Sequence, residues 1–349
     1  MSFIPPRCPN VRCPQHRNPQ GRFYCRHGSY QPQCRDRPVP RFRCKSCKRR
    51  FSRQTFRHDY RDRRPECNAP LFELLTSGVG LRMSARILKL GVQSVQKKME
   101  KLARTCGLLH ENLAPRLPEG CTFVMDEEET YEGASIRPLT MPVVIEKQTW
   151  FVVASEVGSI RRLAARGTAR RKRQDQEERS RGRRKDESLA CVRKVLRRLA
   201  AKVRGSLVVR TDQKASYATA LQAVFGDHVC HETTAGTLVR TTHNPLFPIN
   251  TTLAMTRDNC GRLRRRSWLV TKVARRLRSQ MQLFAVYRNY VRRRFNRDKR
   301  SETPARLLGL LPRQLSKHDV LRWRQDWGAR SPHPLSFTAQ RCFATPSTS

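Results

Sequence analysis

The charge balance is the feature of this sequence that most limits how the chain can fold. Against 28 Asp and Glu residues stand 72 Lys and Arg residues, and the formal net charge over 349 positions is +44. That much like charge repels itself in a compact state, so the sequence predicts a polyanionic partner that neutralises it. Arginine outnumbers lysine, and its planar fork suits bidentate phosphate binding. A basic surface without a specific partner is the alternative.

Length and hydrophobicity predict several small domains rather than one large globule. With 38% hydrophobic residues, the chain has material for one ordinary core and smaller satellite modules. No apolar run is long enough to span a bilayer, and the N-terminus lacks the apolar region of a signal peptide. We therefore expect a cytoplasmic protein without membrane contact.

Cysteines are concentrated at the start of the chain. Cys8 and Cys13 form a C-x4-C pair, and Cys44 and Cys47 form a C-x2-C pair about thirty residues later. Four thiolates at such spacing suit tetrahedral Zn²⁺, whose binding energy replaces the core that this stretch lacks. The pattern predicts a zinc ribbon over residues 1–62 in which Zn²⁺ is structural. Scattered cysteines without metal are one alternative, and other ligands in the same stretch are also open: Cys25, Cys34, His16 and His27.

Residues 63–115 change to helical spacing of apolar residues, interrupted by glycines, and predict a helix-turn-helix DNA-binding domain. We expect a first helix from about Arg82 to Gly91 and a second helix that opens at Ser94. Such a second helix fits a major groove, where Gln and Lys side chains reach base edges and phosphates. An ordinary helical hairpin is the alternative. The predicted exposed DNA-contacting residues are Gln93, Gln96, Lys97 and Lys98.

Beyond residue 115 the apolar period becomes that of strands, which predicts an α/β fold with a mixed sheet and flanking helices. The first three strands are expected to form an antiparallel meander. A long helix is expected from about Asn250 to Phe295, with Leu269, Val273, Leu277, Met281 and Phe284 on its apolar face. The other predicted elements are strands at 122–125, 142–145, 150–154, 207–212 and 228–231, a loop or solvated helix at 161–187, and helices at 189–203, 217–225 and 321–327.

Two aspartates end predicted strands in a chain that is short of acids. Asp126 ends the first strand pattern, and Asp212 ends the fourth. The strand order is typical of an RNase H-like layout, which sets these two strands side by side. Two converging carboxylates would bind Mg²⁺ or Mn²⁺ for phosphoryl chemistry, in which one ion activates the attacking hydroxyl and another stabilises the leaving oxygen. Turn or cap residues paired with abundant arginine are the alternative.

The cysteine pairs, the two-helix motif, Asp126, Asp212 and the stretch from Arg257 to Lys272 together resemble the IS-one group of bacterial insertion-sequence transposases. The resemblance covers about residues 5–298 and includes the segment from Tyr287 to Asn296. It implies an RNase H-like catalytic domain at residues 116–298, followed by a basic, largely irregular tail at 299–349. It also implies Mg²⁺-dependent cleavage and joining of double-stranded DNA, at terminal inverted repeats and target DNA, by a homo-oligomer. Asp126 and Asp212 match the first two acids of the group's acidic triad.

The third position of the triad departs from the group's pattern. Aligning the block from Arg257 to Arg266 puts Asn250 where a Glu is expected. Asn offers a carbonyl oxygen but no charge. Asp258 is the nearest downstream acid, eight residues on, which is about 12 Å along a helix and about 80° round it. Asn250 and Asp258 are therefore both candidates for the third catalytic position.

Basic residues around the third position are expected to contact DNA phosphates, with a solvated basic face as the alternative. They are Arg257, Arg262, Arg264, Arg265 and Lys272. Two other functions compete with the transposase interpretation. One is a non-catalytic DNA-binding protein derived from a transposase. The other is an RNA-binding protein, which charge alone suggests but which lacks grouped aromatic residues, since these make up only 7% of the chain.

Overall fold

The computed structural model describes residues 3–31, 37–239, 241–264, 268–295 and 302–323. The strands are β1 (Tyr24–Tyr30), β2 (Val39–Cys44), β3 (Arg50–Ser52), β4 (Thr122–Glu132), β5 (Ala134–Glu146), β6 (Val152–Ser155), β7 (Gly158–Ser159), β8 (Leu207–Asp212) and β9 (Val229–Thr234). The helices are α1 (Pro14–Arg17), α2 (Asn68–Thr76), α3 (Leu81–Ile87), α4 (Val92–Leu113), α5 (Ala169–Arg181), α6 (Ser188–Ala200), α7 (Ala215–Phe225), α8 (Phe247–Asn259), α9 (Ala274–Val286), α10 (Pro304–Leu307) and α11 (Lys317–Arg322).

The larger sheet is mixed, as predicted, and the fold is mixed α/β. Its strand order is β6-β5-β4-β8-β9, with β7 also paired to β5. The predicted meander is confirmed, because β5 is antiparallel to both β4 and β6. In contrast, β8 is parallel to β4 and β9 is parallel to β8. A smaller antiparallel sheet, β1-β2-β3, lies in the cysteine-rich stretch.

The centre of the larger sheet is buried on both faces. Along β4, Phe123 and Met125 belong to a core built with α4, α6 and α7, whereas Val124 belongs to a second core built with α8 and α9. Alternate residues of a strand point to opposite faces, so this continuous apolar run serves both cores. Burying each large apolar side chain contributes about 1.5–3 kcal/mol, and the two cores hold β4 in place between two layers of helices.

The β4–β5 hairpin is longer than its apolar residues predict. β4 continues through the acidic run from Glu127 to Glu132 before the chain turns at Gly133. Cations brought by other elements pair with these carboxylates, including Lys214 with Glu127 at 2.8 Å and Arg162 with Glu129 at 2.6 Å. Pairing removes the repulsion among neighbouring carboxylates, so the acidic run is able to continue the strand.

The predicted long helix from Asn250 to Phe295 is wrong. α8 ends at Asn259 and α9 begins only at Ala274, and Leu269 and Val273 lie outside both. The helix ends where it meets the turn after α2, because the Gly78 N–H donates to the Asn259 carbonyl at 3.0 Å. A Cβ atom on Gly261 would lie 2.5 Å from the Gly78 carbonyl oxygen. Part of the predicted apolar face is confirmed in α9, where Leu277, Met281 and Phe284 are buried.

The charged run at 161–187 contains the helix α5, which ion pairs attach to the sheet. Glu177 pairs with Arg137 of β5, and Glu178 pairs with Arg161 at 2.9 Å. The buried side chain of α5 is Gln174, whose amide donates to the Arg162 carbonyl at 2.9 Å. This helix is held by polar contacts rather than by an apolar stripe.

The two helices α3 and α4 are present near their predicted places, joined by four residues. α4 begins at Val92 rather than Ser94, because Gly91 is the extended residue that precedes it (φ −65°, ψ 142°). One face of α4 is buried in the first core through Val95, Met99, Leu102, Cys106 and Leu109. Among the helices in the described ranges, none combines the length and apolar character needed to cross a membrane.

The prediction that Lys98 is exposed is wrong. Its ammonium group donates to the Asp62 carboxylate at 2.5 and 2.6 Å, to the Arg64 carbonyl at 2.6 Å and to Asn68 at 3.1 Å. Both Lys98 and Asp62 have side chains that are only 7% exposed. Lys98 therefore attaches α4 to the segment before α2 and is not available to DNA.

Replacing Lys98 with Met is expected to lower the free energy of unfolding by about 3–5 kcal/mol, because Asp62 would remain buried without its partner. The matched control is Lys97→Met, one residue away and exposed, for which a change within about 0.5 kcal/mol is expected. Urea unfolding of both variants measures the difference. Equal effects of the two substitutions would contradict the structural role of Lys98.

Candidate metal centres and nucleic-acid interface

The predicted cysteines come together in the smaller sheet. Cys8 and Cys13 flank a turn before β1, and Cys44 and Cys47 flank the turn after β2. All four Sγ atoms lie within 4.8 Å of one another, with Cys8 to Cys47 at 3.4 Å and Cys13 to Cys44 at 3.8 Å. Zn–S bonds of about 2.3 Å in a tetrahedron require sulfur atoms roughly 3.8 Å apart. The group can therefore hold Zn²⁺.

The alternative ligands lie outside this group. Cys25 directs its thiol toward the Arg43 carbonyl at 3.7 Å. His16 places Nδ1 2.6 Å from the Cys8 carbonyl oxygen. His27 lies within β1 and is not among the grouped ligand atoms, and Cys34 lies outside the described residues.

The thiols of the group differ in acidity. Burial raises the pKa of Cys8, and burial also raises the pKa of Cys13. Burial alone would raise the pKa of Cys47 too, but hydrogen bonds from the Arg49 backbone, from Asn10 and from neighbouring thiols lower it to about 7. Binding of a metal would release the thiol protons of the group.

Asp126 and Asp212 lie on neighbouring parallel strands. The register pairs Thr122 with Val208 and Val124 with Arg210, where the pairing of the two strands ends. The same register continued for two residues would put Asp126 alongside Asp212. Both aspartates point to the same face as Val124, which is the face that α8 covers. Their carboxylates accept backbone N–H groups, from Glu127 to Asp126 at 2.7 Å and from Lys214 to Asp212 at 3.1 Å.

Four further residues beside this pair were not found from the sequence. Glu127 is buried on the opposite face of β4, where Lys214 donates to it at 2.8 Å and Thr140 also donates. Tyr217 of α7 is 1% exposed. Burial raises the pKa of Tyr217, and the charges of Glu127, Asp126 and Asp212 raise it further. In the sequence, only the alternation of side chains between the two faces of β4 separates Glu127 from Asp126 and Glu128.

The orientation of α8 distinguishes the two candidates for the third position. Phe247, at the start of α8, contacts Trp150 beside the first residues of β4, at 5.9 Å between ring centroids. Near its end, Arg257 pairs with the buried Glu128 of β4. α8 therefore runs in the same direction as β4. Asn250 lies on the same face of α8 as Arg257, two turns earlier and about 10.5 Å back along the helix axis. On β4, the corresponding shift leads from Glu128 toward Asp126.

Asp258 lies at the opposite end of α8. It is exposed and about 100° round the helix from Arg257. Its carbonyl oxygen is 2.6 Å from the position of a Cβ atom on Gly78. Within the described residues, no third His, Cys, Asp or Glu joins Asp126 and Asp212 in a compact group of ligand atoms.

The predicted phosphate-contacting residues are not on one helix. Arg257 lies on α8 and is occupied by Glu128, while Arg262, Arg264 and Lys272 lie in the connection between α8 and α9. Arg265 lies outside the described residues. On α4, Gln93 and Lys97 are exposed as predicted, whereas Gln96 is half-buried and accepts from Arg276 at 2.8 Å.

Comparison with known proteins finds a relative among mobile-element proteins. The Insertion element iso-IS1N protein InsA of Shigella dysenteriae is 32% identical to this chain over 91 residues. That stretch is 26% of this chain and 89% of the relative. No protein-family model matches the chain.

Changing Cys44 to Ser is expected to abolish stoichiometric zinc binding, because three thiolates and a hydroxyl are a much weaker ligand set than four thiolates. The matched control is Cys25→Ser, which alters a cysteine of the same small sheet outside the group and is expected to retain one equivalent of zinc. Metal content of the purified proteins, measured after dialysis against a weak chelator, tests both. Loss of zinc from Cys25→Ser as well would show that the ligand set is different.

Proposed function

Because this chain belongs to the family of the insertion-element protein InsA, we propose that it is a DNA transposase that binds the ends of its element and cleaves and joins DNA strands. The observation that carries the catalytic part of the proposal is the register of β4 and β8, which sets Asp126 beside Asp212. Adjacent carboxylates on neighbouring parallel strands suit divalent-metal phosphoryl chemistry.

The sheet supports an RNase H-like interpretation of residues 116–298. It combines an antiparallel β4-β5-β6 meander with the parallel strands β8 and β9, and helices cover both faces. The four-cysteine group supports a zinc ribbon at residues 1–62, and α3 and α4 support a helix-turn-helix at residues 63–115. The described tail, residues 302–323, contributes α10 and α11, which pack against the π-helical turn after α9 and against α2.

The oxygen ligands on this face suit Mg²⁺ or Mn²⁺, which prefer carboxylate and carbonyl oxygens. Asp126, Asp212 and the amide oxygen of Asn250 would hold the metal, which when bound supplies activation of a hydroxyl and stabilises the charge on the reacting phosphate. The chain's own contribution is orientation. Backbone N–H groups fix one oxygen of each aspartate, and Lys214 neutralises Glu127 so that it does not compete for the metal.

Double-stranded DNA is the partner that the rest of the molecule suits best. A net charge of +44 favours a polyanion, and Gln93 and Lys97 are exposed at the start of α4, where a major-groove helix presents its contacts. We propose that the chain acts on terminal inverted repeats and target DNA as a homo-oligomer in the bacterial cytoplasm.

A second candidate function is a DNA-binding protein without catalytic activity. The observation that favours it is Asn250 at the third position, because a site with two carboxylates carries less charge and binds Mg²⁺ more weakly than one with three. An RNA-binding function has no specific observation in its favour.

Strand nicking and end joining on a plasmid that carries the gene's own flanks tests the proposal, with Mg²⁺ or Mn²⁺ present. Asp126→Asn and Asp212→Asn are each expected to lower the rate by more than about 100-fold, since removing even groups that support metal ligands costs about 10–100-fold. Binding of the same DNA should remain within about twofold, because neither side chain is in the proposed DNA-reading helix. A wild-type protein that binds these ends but never cuts them would leave only the second candidate.

The third position is tested by a matched pair of variants in the same assay. Asn250→Ala is expected to raise the Mg²⁺ concentration needed for half-maximal nicking, and Asn250→Glu is expected to lower it, because the added carboxylate strengthens the site. Asp258→Ala is the control and should leave this concentration unchanged. A response to Asp258→Ala but not to Asn250→Ala would assign the third position to Asp258.

A further inference from the structure

A cleft of about 600 Å³ separates the two-helix unit from the connection between α8 and α9. One wall comes from α3 and the start of α4, and the other from residues 261–262, 268–272 and 276–280. Its two walls are held close together at two contacts. The backbone at Gly78 touches Gly261, and the Leu269 side chain lies against Gly80. The cleft does not include Asp126 or Asp212.

The charged residues that line the cleft are all cations: Arg82, Arg262, Lys272 and Arg276. Elsewhere in the described residues, the buried cations Lys98 and Lys202 are paired with Asp62 and Glu111. In the cleft, Arg262 contacts the Met99 sulfur at 4.0 Å, and Arg276 donates to the Gln96 amide oxygen at 2.8 Å. Arg276 Nε is buried without a hydrogen-bond partner among the described residues. Among the described residues, Arg262 and Arg276 thus have no carboxylate partner of the kind that Lys98 and Lys202 have, as is also true of the buried Arg288, which donates to the Arg293 carbonyl at 3.0 Å.

The pKa of Arg262 is consistent with a sheltered cation that lies near a second cation. Burial lowers the pKa of Arg262 to about 10, and the nearby charge of Arg276 contributes to the lowering. Two guanidinium groups that repel each other in a sheltered cleft are stabilised by an anion that accepts from both.

The rest of the lining combines apolar side chains with the amides of Gln96 and Gln280. Leu81 and Val92 lie on one side, and Leu269 and Val270 lie on the other. Trp268 is 95% exposed at the rim, although large aromatic side chains are usually buried. A duplex backbone needs cations on an open surface, whereas a concave apolar floor beside cations suits a ligand with both a phosphate and a flat aromatic face.

We propose that this cleft holds one unpaired nucleotide of the bound DNA, with its phosphate on Arg262 and Arg276 and its base against Trp268. The inference rests on the proposed DNA-binding function and extends it to a second mode of recognition. Because Gln96 of α4 forms part of the same wall, the nucleotide would lie next to a duplex read by Gln93 and Lys97. Exposed aromatic side chains stack on bases that have left a duplex.

The test compares a short labelled duplex that contains a single unpaired thymine with the same duplex fully paired. Fluorescence anisotropy with the full chain should show tighter binding to the unpaired site by about 5- to 100-fold, the contribution of one base stacked on an aromatic side chain. Trp268→Ala should abolish this preference and leave affinity for the paired duplex within about twofold. The substitution does not threaten folding, because the side chain is almost fully exposed.

A second pair of variants tests whether Arg276 binds the phosphate of the unpaired nucleotide. Arg276→Gln should weaken binding of the duplex with the unpaired thymine, whereas Arg275→Gln, an exposed neighbour on α9 outside the cleft, should not. With 2-aminopurine at the unpaired position, wild type should quench the fluorescence and Trp268→Ala should not.

Two results would overturn the proposal while leaving the DNA-binding function intact: equal affinity of wild type for both duplexes, or a preference that persists in Trp268→Ala. Failure to bind either duplex would overturn both this proposal and the proposed function.

Discussion

The parallel pairing of β4 with β8 is the interaction on which the rest of this structure depends. Parallel strands cannot be joined by a tight turn, so the chain must pass through β5, β6 and α6 before it returns as β8. That path supplies the helices and strands that bury β4 on both faces. The same pairing determines which side chains of β4 lie beside the end of β8. Apolar burial thus fixes the position of Asp126 relative to Asp212, although neither aspartate contributes to the cores.

Arginine-rich composition shapes the interior as well as the surface. The scarce carboxylates of β4 bind cations from distant elements, including Lys214 and Arg257. α5 is attached to the sheet by pairs such as Arg161 with Glu178. Ion pairs that are partly exposed contribute little individually and weaken as salt is added. The sheet core should therefore tolerate salt well, while the attachment of α5 depends on ionic strength.

Much of the sheet could be predicted from the sequence. Its central strands are continuous apolar runs bounded by Pro, Gly and charged residues, which is a local signal. Asp126 and Asp212 were identifiable because each ends such a run. The cysteine group was identifiable because its spacing alone carries the chemistry of the ligands.

What could not be predicted depends on contacts between distant residues. Lys98 resembles Lys97 in the sequence, and only the position of Asp62, 36 residues away, shows that one is buried. The end of α8 is set by Gly78, far earlier in the chain. Alternation along β4 separates Glu127 from Asp126, but its pairing with Lys214, 87 residues away, depends on the folded structure. The side of α8 that carries Asn250 likewise required the packing of Phe247 and Arg257.

The two faces of α4 have a consequence for any shortened product of this gene. Its outer face carries Gln93 and Lys97, and its inner face, with Val95, Met99 and Leu102, forms part of the main core. A shortened product that stopped soon after Leu113 would keep the outer face but lose the sheet that shields the inner one. Such a fragment would need another apolar surface, most simply a second copy of itself. A truncated product of this gene would thus be driven to self-association by the same residues that keep the 349-residue chain folded.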